Sequence, residues 1–249
     1  LQQCKIKNIK VLPIDSEHNS IFQILDNQTN KTIQNITITA SGGAVFNKTK
    51  QELKNIKIND VSKHPNWSMG KKITIDSSTM ANKGLELIEA CRLFQVKQDK
   101  INVVINTKSI VHALVTFKDL TTISFMSNPD MISHIAHTIF YPNSIPTEIV
   151  EEFLKNFDIF NFQNTSFYEI DLEKYKMLQI ASDVSDNYFL SLAYNCINEY
   201  LVDCFIDNKI SFYEIPDKML KILEINSKCK IKVFDFESAF EAKKQLQYI

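Results

Sequence analysis

Residues 64–90 read HPNWSMGKKITIDSSTMANKGLELIEA, a run that holds an aromatic ring, several hydroxyls, an amide, ammonium groups and carboxylates. The chain's single tryptophan, Trp67, and Met69 stand between Pro65 and Gly70. Because proline and glycine interrupt regular structure, this spacing predicts a loop, whereas core residues would lie inside a periodic element. A loop that carries large apolar side chains beside polar groups can close over a ligand and exclude water.

The rest of this run predicts a short strand and then a helix. Lys71–Ile75 alternates in the manner of a strand, and a helix with a hydroxyl cap is expected to begin near Ser77–Thr79. On that helix Asn82 and Glu86 are four residues apart and share a face, with Lys83 beside them. The pattern fits an exposed helix with an ordinary Lys–Glu pair. It also fits a carboxylate ligand next to an oxyanion site at a helix start.

A second motif, PIDSEHN at residues 13–19, follows the stretch 5–12 (KIKNIKVL), which is typical of a strand that ends at Pro13. At the end of an extended strand, Asp15 and Glu17 would point their carboxylates to the same side. Converging carboxylates repel each other unless a cation joins them, and hard cations such as Mg²⁺ or Mn²⁺ prefer oxygen ligands. A lone D-x-E motif is also typical of a solvated acidic turn, so both interpretations remain open for the motif alone.

Glycine is confined to the candidate motifs. Of the four glycines, two lie in the turn Ser41-Gly42-Gly43 and two within residues 64–90. Glycine permits positive φ angles and a close approach of the backbone to a ligand. The turn follows the alternating stretch 33–39 (IQNITIT), a predicted strand, and offers a hydroxyl and exposed amides to an anion. No G-x-G-x-x-G sequence occurs, which argues against a dinucleotide-binding fold of the usual kind within these residues.

The histidines divide into two groups. His64 precedes the tryptophan loop, and its imidazole is either a donor to a phosphate oxygen or an ordinary loop histidine. His112, His134 and His137 lie among apolar residues, so we expect them to be structural.

The composition argues against several classes of partner. With 249 residues, 44% of them hydrophobic, the chain can bury a sizeable core. Its net charge of −1 gives no strong electrostatic field that would attract nucleic acid or an anionic membrane. The five cysteines include no Cys-x-x-Cys pair, which is typical of free thiols in a reducing compartment. No apolar run is long enough to span a bilayer and no signal-peptide pattern opens the chain, so we expect a soluble cytoplasmic protein.

The remaining pattern predicts an α+β domain with a mixed sheet, followed by a C-terminal helical bundle. Stretches 101–105, 110–117 and 121–125 are β-rich and precede a helix at 131–140. A short helix is expected at 148–156. From residue 172 onward the apolar spacing is helical, with helices expected at 188–207, 216–225 and 238–248.

These motifs resemble the 1-deoxy-D-xylulose 5-phosphate reductoisomerase family. The resemblance rests on PIDSEHN at 13–19, SGG at 41–43 and the whole of residues 64–90. It continues through Asn128-Pro129-Asp130-Met131 and Ile135-Ala136-His137-Thr138. Near the C-terminus, YNCINE at 194–199 is similar to the family's Leu-Asn-Ala-Ala-Asn-Glu. The resemblance thus covers nearly the whole chain.

The resemblance implies a role in the NADPH-dependent isomerisation and reduction of 1-deoxy-D-xylulose 5-phosphate to 2-C-methyl-D-erythritol 4-phosphate, in isoprenoid biosynthesis. In that family Mn²⁺ or Mg²⁺ chelates substrate oxygens and stabilises developing negative charge, and the inhibitor fosmidomycin mimics the chelating substrate. A homodimer is implied as well. The implied site comprises the metal ligands Asp15, Glu17 and Glu86; the substrate-binding residues Ser16, Glu17, Ser41, His64, Ser77, Asn82, Lys83 and Glu86; the catalytic residues Glu17, Lys83 and His64; the flap residues Trp67 and Met69; and Gly70 beside NADPH.

The NADPH-binding domain of the family is expected to lie outside these residues. We expect the chain alone to bind metal and phosphosugar and to reduce nothing unaided. The alternative is a non-catalytic remnant or split-gene subunit that binds metal and phosphosugar or serves in assembly. The expected parts are the last strand of the cofactor domain at 1–14, the α+β catalytic domain with site and flap at 15–141, a linker at 142–166 and the C-terminal helical domain at 167–249.

Overall fold

The computed structural model describes residues 1–28, 31–229, 231–233 and 235–248. The chain divides into two compact units, and each unit is built from two separate segments. The first unit comprises Leu1–Ser41 and Asp99–Glu169, and the second comprises Gly42–Gln98 and Ile170–Ile249. This division differs from the predicted division into consecutive domains, because residues 42–98 group with the C-terminal helices. The functional boundaries at 15–141 and 167–249 stay a prediction.

Helices and strands are mixed in the first two thirds of the chain, and the regular elements after that are helical. In chain order they are α1 (Gln2–Ile6), α2 (Ser16–Asp26), β1 (Ile33–Ala40), α3 (Lys50–Leu53), α4 (Lys71–Thr79), α5 (Ala81–Phe94), β2 (Ile101–Asn106), β3 (Val111–Phe117), β4 (Thr122–Met126), α6 (Ile132–Phe140), α7 (Thr147–Phe153), β5 (Phe167–Tyr168), α8 (Lys176–Val184), α9 (Tyr188–Ile206), α10 (Ile215–Ser227) and α11 (Phe236–Lys244).

A five-stranded mixed sheet forms the centre of the first unit. Its strand order is β4-β3-β1-β2-β5, with β1 and β2 parallel and the other neighbours antiparallel. The predicted strands at 33–39, 101–105, 110–117 and 121–125 are therefore confirmed, as is the α+β fold class with a mixed sheet and C-terminal helices. Parallel neighbours need a long crossover connection. The crossover between β1 and β2 carries the second unit's first segment.

The core of the first unit lies between the sheet and helix α2. This helix packs on β3, β4 and β1, with α6 beside it. Ile21 of α2 and Ile36 and Ile38 of β1 are completely buried, as are Val115 and Phe117 of β3. The burial of these apolar side chains fixes the position of α2. The first turn of this helix carries polar residues of the PIDSEHN motif.

The second unit is a bundle in which α9 contacts α4, α5, α8, α10 and α11. Its interior includes Met177, Tyr194, Ile197 and Leu201, each no more than 1% exposed. The helices predicted for the C-terminal part of the chain are confirmed, with ends shifted by a few residues.

Gly84 allows α5 to approach α8 closely. A Cβ atom at this position would lie 2.6 Å from the Ala181 Cβ and 3.0 Å from the Tyr194 hydroxyl. That hydroxyl donates to the Met177 carbonyl at 3.0 Å, so it is held in place. The helix pair therefore requires a residue without a side chain at position 84.

The strand predicted at 5–12 is wrong. Residues 2–6 form α1, and Asn8 takes a left-handed conformation with φ 52°. The Ile9 N–H then bonds the Cys4 carbonyl at 2.7 Å, an arrangement that ends helices. Asparagine tolerates positive φ angles, and this local preference prevails over the alternating pattern.

The strand predicted at Lys71–Ile75 is also wrong, because these residues belong to α4. Lys72 pairs with Asp76 at 2.6 Å, one helical turn away. Thr74 donates its side-chain hydroxyl to the Gly70 carbonyl at 2.9 Å, a bond formed within a helix. These i,i+4 contacts, together with burial of one face, outweigh the β propensity of the run.

No helix in the described part of the chain combines the length and apolar character needed to cross a membrane.

Replacing Gly84 by alanine should destabilise the second unit, although alanine is the better helix former. The new methyl group must displace α8, which typically costs about 1–3 kcal/mol, or roughly 2–12 °C in the thermal midpoint. Gly70→Ala is the control, since nothing lies within 4 Å of its would-be Cβ. Equal midpoints for Gly84→Ala and Gly70→Ala in a thermal melt would contradict the close-approach argument.

Candidate functional site

Asp15 caps the first turn of α2. Its carboxylate accepts a hydrogen bond from the Ser16 N–H at 2.9 Å, with Asp15 itself in an extended conformation. The prediction that Asp15 and Glu17 end a strand is therefore wrong. Aspartate is a favoured N-cap residue, and a glutamate in the first turn interacts well with the helix dipole, so the sequence Asp-Ser-Glu begins a helix.

The side chains around Asp15 form a short polar network. Its second carboxylate oxygen lies 3.5 Å from the Nδ1 atom of His18, which is almost fully buried, whereas the Asp15 side chain is 44% exposed. The Ser16 hydroxyl donates to the Glu17 carboxylate. The structure thus brings Asp15, Ser16 and Glu17 together at one helix start, with oxygen donors of the kind that Mg²⁺ and Mn²⁺ prefer.

A network of hydrogen bonds between buried polar side chains connects α2 with α6 and with the sheet. Asn19 is completely buried, and its amide donates to the Pro13 carbonyl at 2.9 Å. The Asn19 Oδ1 atom lies 3.2 Å from Nδ1 of His134, which is also completely buried. Ser127 bonds Nε2 of His112 at 2.9 Å. These contacts agree with the prediction that His112 and His134 are structural.

The second group of candidate residues spans the junction of α4 and α5. Met80 joins the two helices in a left-handed conformation, with φ 63°. The helix that carries the candidates therefore begins at Ala81, four residues later than the earliest predicted start, and Ser77 lies in the last turn of α4. Asn82 and Lys83 lie in the first turn of α5, as the predicted oxyanion site requires.

Asn82, Lys83 and Glu86 form one cluster on α5. The Lys83 Nζ lies 2.5 Å from one Glu86 oxygen, and the Asn82 amide donates to the other at 2.6 Å. Lys83 is 5% exposed and Glu86 is 3% exposed, so the ordinary exposed Lys–Glu pair is ruled out. Because burying two charges costs desolvation energy, a pair of this kind is weak evidence for stability and marks a candidate functional site.

His64 is held in one tautomer by its own loop. Its Nδ1 atom accepts hydrogen bonds from the Asn66 N–H at 3.1 Å and the Trp67 N–H at 3.0 Å. Burial, assisted by the positive charge of Lys83, lowers the pKa of His64 below its usual 6.5. A neutral ring whose Nδ1 accepts carries its proton on Nε2, so His64 offers one N–H donor.

The predicted loop between Pro65 and Gly70 is confirmed, since no helix or strand is present there. Trp67 and Met69 are half-buried, and Gly70 is the exposed N-cap residue of α4. Their roles as flap and cofactor contact stay predictions.

The turn that follows Ser41 packs on the end of α4. Gly42 and Gly43 have φ angles of 86° and 64°, the region that favours glycine. A Cβ on Gly43 would lie 2.6 Å from the Ser78 Cα and 2.7 Å from the Ser77 carbonyl oxygen. Glycine at position 43 is therefore needed for backbone contact with Ser77, another candidate substrate-binding residue.

A buried carboxylate that sequence reasoning missed lies on α4. Asp76 is 1% exposed and accepts a hydrogen bond from the Asn198 amide at 2.8 Å, in addition to its pair with Lys72. Burial raises the pKa of Asp76 above its usual value, and Lys72 opposes this rise. Asp76 and Asn198 both lie within the resembling motifs, which was the available signal.

Comparison with known proteins identifies the family. The model of the 1-deoxy-D-xylulose 5-phosphate reductoisomerase C-terminal domain matches residues 11–94, and that of the DXP reductoisomerase C-terminal domain matches residues 126–248. The chain belongs to the 1-deoxy-D-xylulose 5-phosphate reductoisomerase family. Together the two matches contain every candidate residue named above for the start of α2, the glycine turn and the α4–α5 junction.

Individual reductoisomerases of this family are similar over most of this chain. The enzyme of Ehrlichia ruminantium (strain Gardel) is 38% identical over 222 residues, which cover 88% of this chain and 56% of that protein. A crystal structure of DOX-P reductoisomerase in complex with NADPH, fosmidomycin and magnesium is 33% identical, with a TM-score of 0.86, over 98% of this chain and 63% of that one. A second, with fosmidomycin and magnesium, is 31% identical with a TM-score of 0.84, over the same shares. The chain therefore spans roughly 60% of the length of the reductoisomerases it matches.

The candidate residues thus form two groups, one in each unit. The first unit brings together Asp15, Ser16 and Glu17. The second brings together Asn82, Lys83 and Glu86, and the positive charge of Lys83 contributes to the lowered pKa of His64. That these two groups bind one ligand stays a prediction.

The buried His134 should make the stability of the protein pH-dependent. Burial, together with the neighbouring His112, lowers its pKa from 6.5 to about 4. Between these values the unfolded state binds the proton and the folded state does not, so the free energy of unfolding falls as the pH falls, by about 2 kcal/mol from pH 7 to pH 5.

Denaturant unfolding of wild type and His134→Gln at both pH values tests this. The destabilisation caused by the substitution should be smaller at pH 5 than at pH 7 by about 2 kcal/mol. An equal destabilisation at the two pH values would show that His134 titrates normally.

Proposed function

We propose that this chain supplies the metal- and substrate-binding part of an enzyme that isomerises and reduces 1-deoxy-D-xylulose 5-phosphate to 2-C-methyl-D-erythritol 4-phosphate. Membership of the reductoisomerase family supports the reaction class. The observation that carries the proposal is the buried cluster of Asn82, Lys83 and Glu86, because a charged cluster sealed from water has little value as packing alone. Gly70 is proposed to lie beside the NADPH of the complete enzyme.

The phosphate group of the substrate is proposed to bind Ser41, Ser77, Asn82 and His64. Three features suit an anion: the glycine turn after Ser41, the first turn of α5 and the N–H of His64. Since His64 is neutral, it can donate to a phosphate oxygen near pH 7 without a change of protonation. Ser16 and Lys83 are proposed to bind the hydroxyl groups of the sugar.

Asp15, Glu17 and Glu86 are proposed to bind one divalent cation. All three offer carboxylate oxygens, the ligands of hard cations, so the donor set fits Mg²⁺ or Mn²⁺ and suits zinc less well. When bound, the cation would stabilise negative charge that develops on the substrate's carbonyl and hydroxyl oxygens, and NADPH would supply the hydride.

The residues of the chain have separate proposed tasks around that chemistry. Lys83 balances the charge of Glu86 and provides an ammonium group beside the reacting oxygens. Glu17 accepts from the Ser16 hydroxyl and is thereby oriented. Trp67 and Met69 form a flap that excludes water from the closed site, which strengthens every electrostatic interaction inside it.

Loss of a proposed metal ligand should strongly weaken the metal-dependent binding of fosmidomycin to this chain. In calorimetry with Mn²⁺ present, Glu86→Gln and Glu17→Gln, one from each unit, should each weaken fosmidomycin binding about 100-fold or more, since even outer-sphere changes cost 10- to 100-fold. Glu224→Gln, an exposed charge on α10, is the control and should bind normally. Unchanged binding in either ligand variant, with the fold intact by circular dichroism, would remove that carboxylate from the site.

The flap assignment can be tested by fluorescence, because Trp67 is the chain's only tryptophan. Saturation with Mn²⁺ and fosmidomycin should shift its emission to shorter wavelength, since closure removes water from the indole. A spectrum that stays constant while calorimetry records binding would contradict the flap.

A further inference from the structure

The carbonyl of Gly42, the residue that follows Ser41, is held by a buried tyrosine from a distant part of the sequence. Tyr175 is 2% exposed, and its hydroxyl donates to the Gly42 carbonyl at 3.0 Å. Burial raises the pKa of Tyr175 far above its usual value, so the hydroxyl keeps its proton and remains a donor.

The neighbouring residue holds the other end of the same loop. The Lys174 ammonium group donates to the carbonyls of Phe46 and Lys48, at 2.7 Å each. Two consecutive side chains therefore bind the backbone of the loop at its beginning and at its end. An ammonium that bonds two carbonyls restrains the loop more strongly than neutral donors would.

The glycine turn needs this external restraint. Gly42 and Gly43 have no side chains of their own to fix their orientation, and glycine loses more conformational freedom on ordering than any other residue. On one side Gly43 rests on the backbone of Ser77 and Ser78, and the Ala44 N–H lies 3.3 Å from the Ser78 hydroxyl. On the other side Tyr175 fixes the Gly42 peptide.

We propose that Tyr175 is a positioning residue for the phosphate of the substrate, acting through its hydrogen bond to the carbonyl of Gly42, the residue that follows Ser41. Lys174 has the same role at the far end of the loop. The inference rests on the proposed function, in which Ser41 binds the phosphate. A binding group must be held within about 0.5 Å of its productive position, and a loop that has to be ordered on binding lowers affinity.

Tyr175→Phe tests the proposal, since it removes one hydroxyl and keeps the buried ring. Two titrations by calorimetry are compared: Mn²⁺ alone, and fosmidomycin, which carries a phosphonate, in the presence of saturating Mn²⁺. Fosmidomycin binding should weaken about tenfold, the typical worth of one hydrogen bond. Binding of Mn²⁺ alone should be unchanged, because the substitution leaves the carboxylates untouched.

Tyr194→Phe is the matched control. Tyr194 is completely buried in the same unit, and its hydroxyl donates to a carbonyl, that of Met177, at the same 3.0 Å. It should lower the thermal midpoint by an amount similar to Tyr175→Phe and leave fosmidomycin affinity at the wild-type value. Lys174→Met should weaken fosmidomycin binding in the same direction as Tyr175→Phe.

Two results would overturn the proposal. One is wild-type fosmidomycin affinity in Tyr175→Phe. The other is an equal loss in Tyr175→Phe and Tyr194→Phe, which would make the effect one of general stability. Failure of the wild-type chain to bind fosmidomycin with Mn²⁺ would instead refute the proposed function, and the inference with it.

Discussion

The parallel pairing of β1 with β2 is the constraint on which the rest of the structure depends. Ile36 to Ala40 pair with Ile101 to Ile105, and parallel neighbours cannot be joined by a tight turn. The chain must leave the sheet after Ala40 and return only at Ile101. The glycine turn, His64 and helix α5 all lie on that crossover. Sheet topology thus decides that these residues belong to the second, helical unit, whereas Asp15 and Glu17 belong to the first.

Within the helical unit, stability and site chemistry make opposing demands. The buried pair of Lys83 and Glu86 costs desolvation energy that a hydrophobic pair would avoid. The close approach at Gly84 compensates for this locally, because it brings α5 against α8 and buries apolar surface. Asp76, bound to Asn198, ties α4 to α9 in a similar way. Lys83 and Glu86 therefore lie on a helix whose position is fixed by its packing against α8, and the neighbouring helix α4 is fixed by its hydrogen bond to α9.

The sequence predicted most of the fold, but less of the local geometry around the candidate site residues. The strand at 33–40 was predictable because its alternation matches a half-buried sheet face. Residues 71–75 alternate in the same way yet form a helix. A run of five residues is too short to distinguish the two-residue period of a strand from the 3.6-residue period of a helix. Asp15, a candidate metal ligand, was expected at the end of a strand, but it caps a helix instead. Tyr175 lies 133 residues from Gly42, a contact that no local pattern predicts.

Carboxylates from two separate segments of the chain are proposed above to bind one divalent cation. Anomalous diffraction from crystals of this chain grown with Mn²⁺ tests this proposal most directly. One strong peak is expected, with oxygens of Asp15, Glu17 and Glu86 at roughly 2.0–2.3 Å, typical distances for hard cations. A peak coordinated by other residues, or occupancy without Glu86, would contradict it.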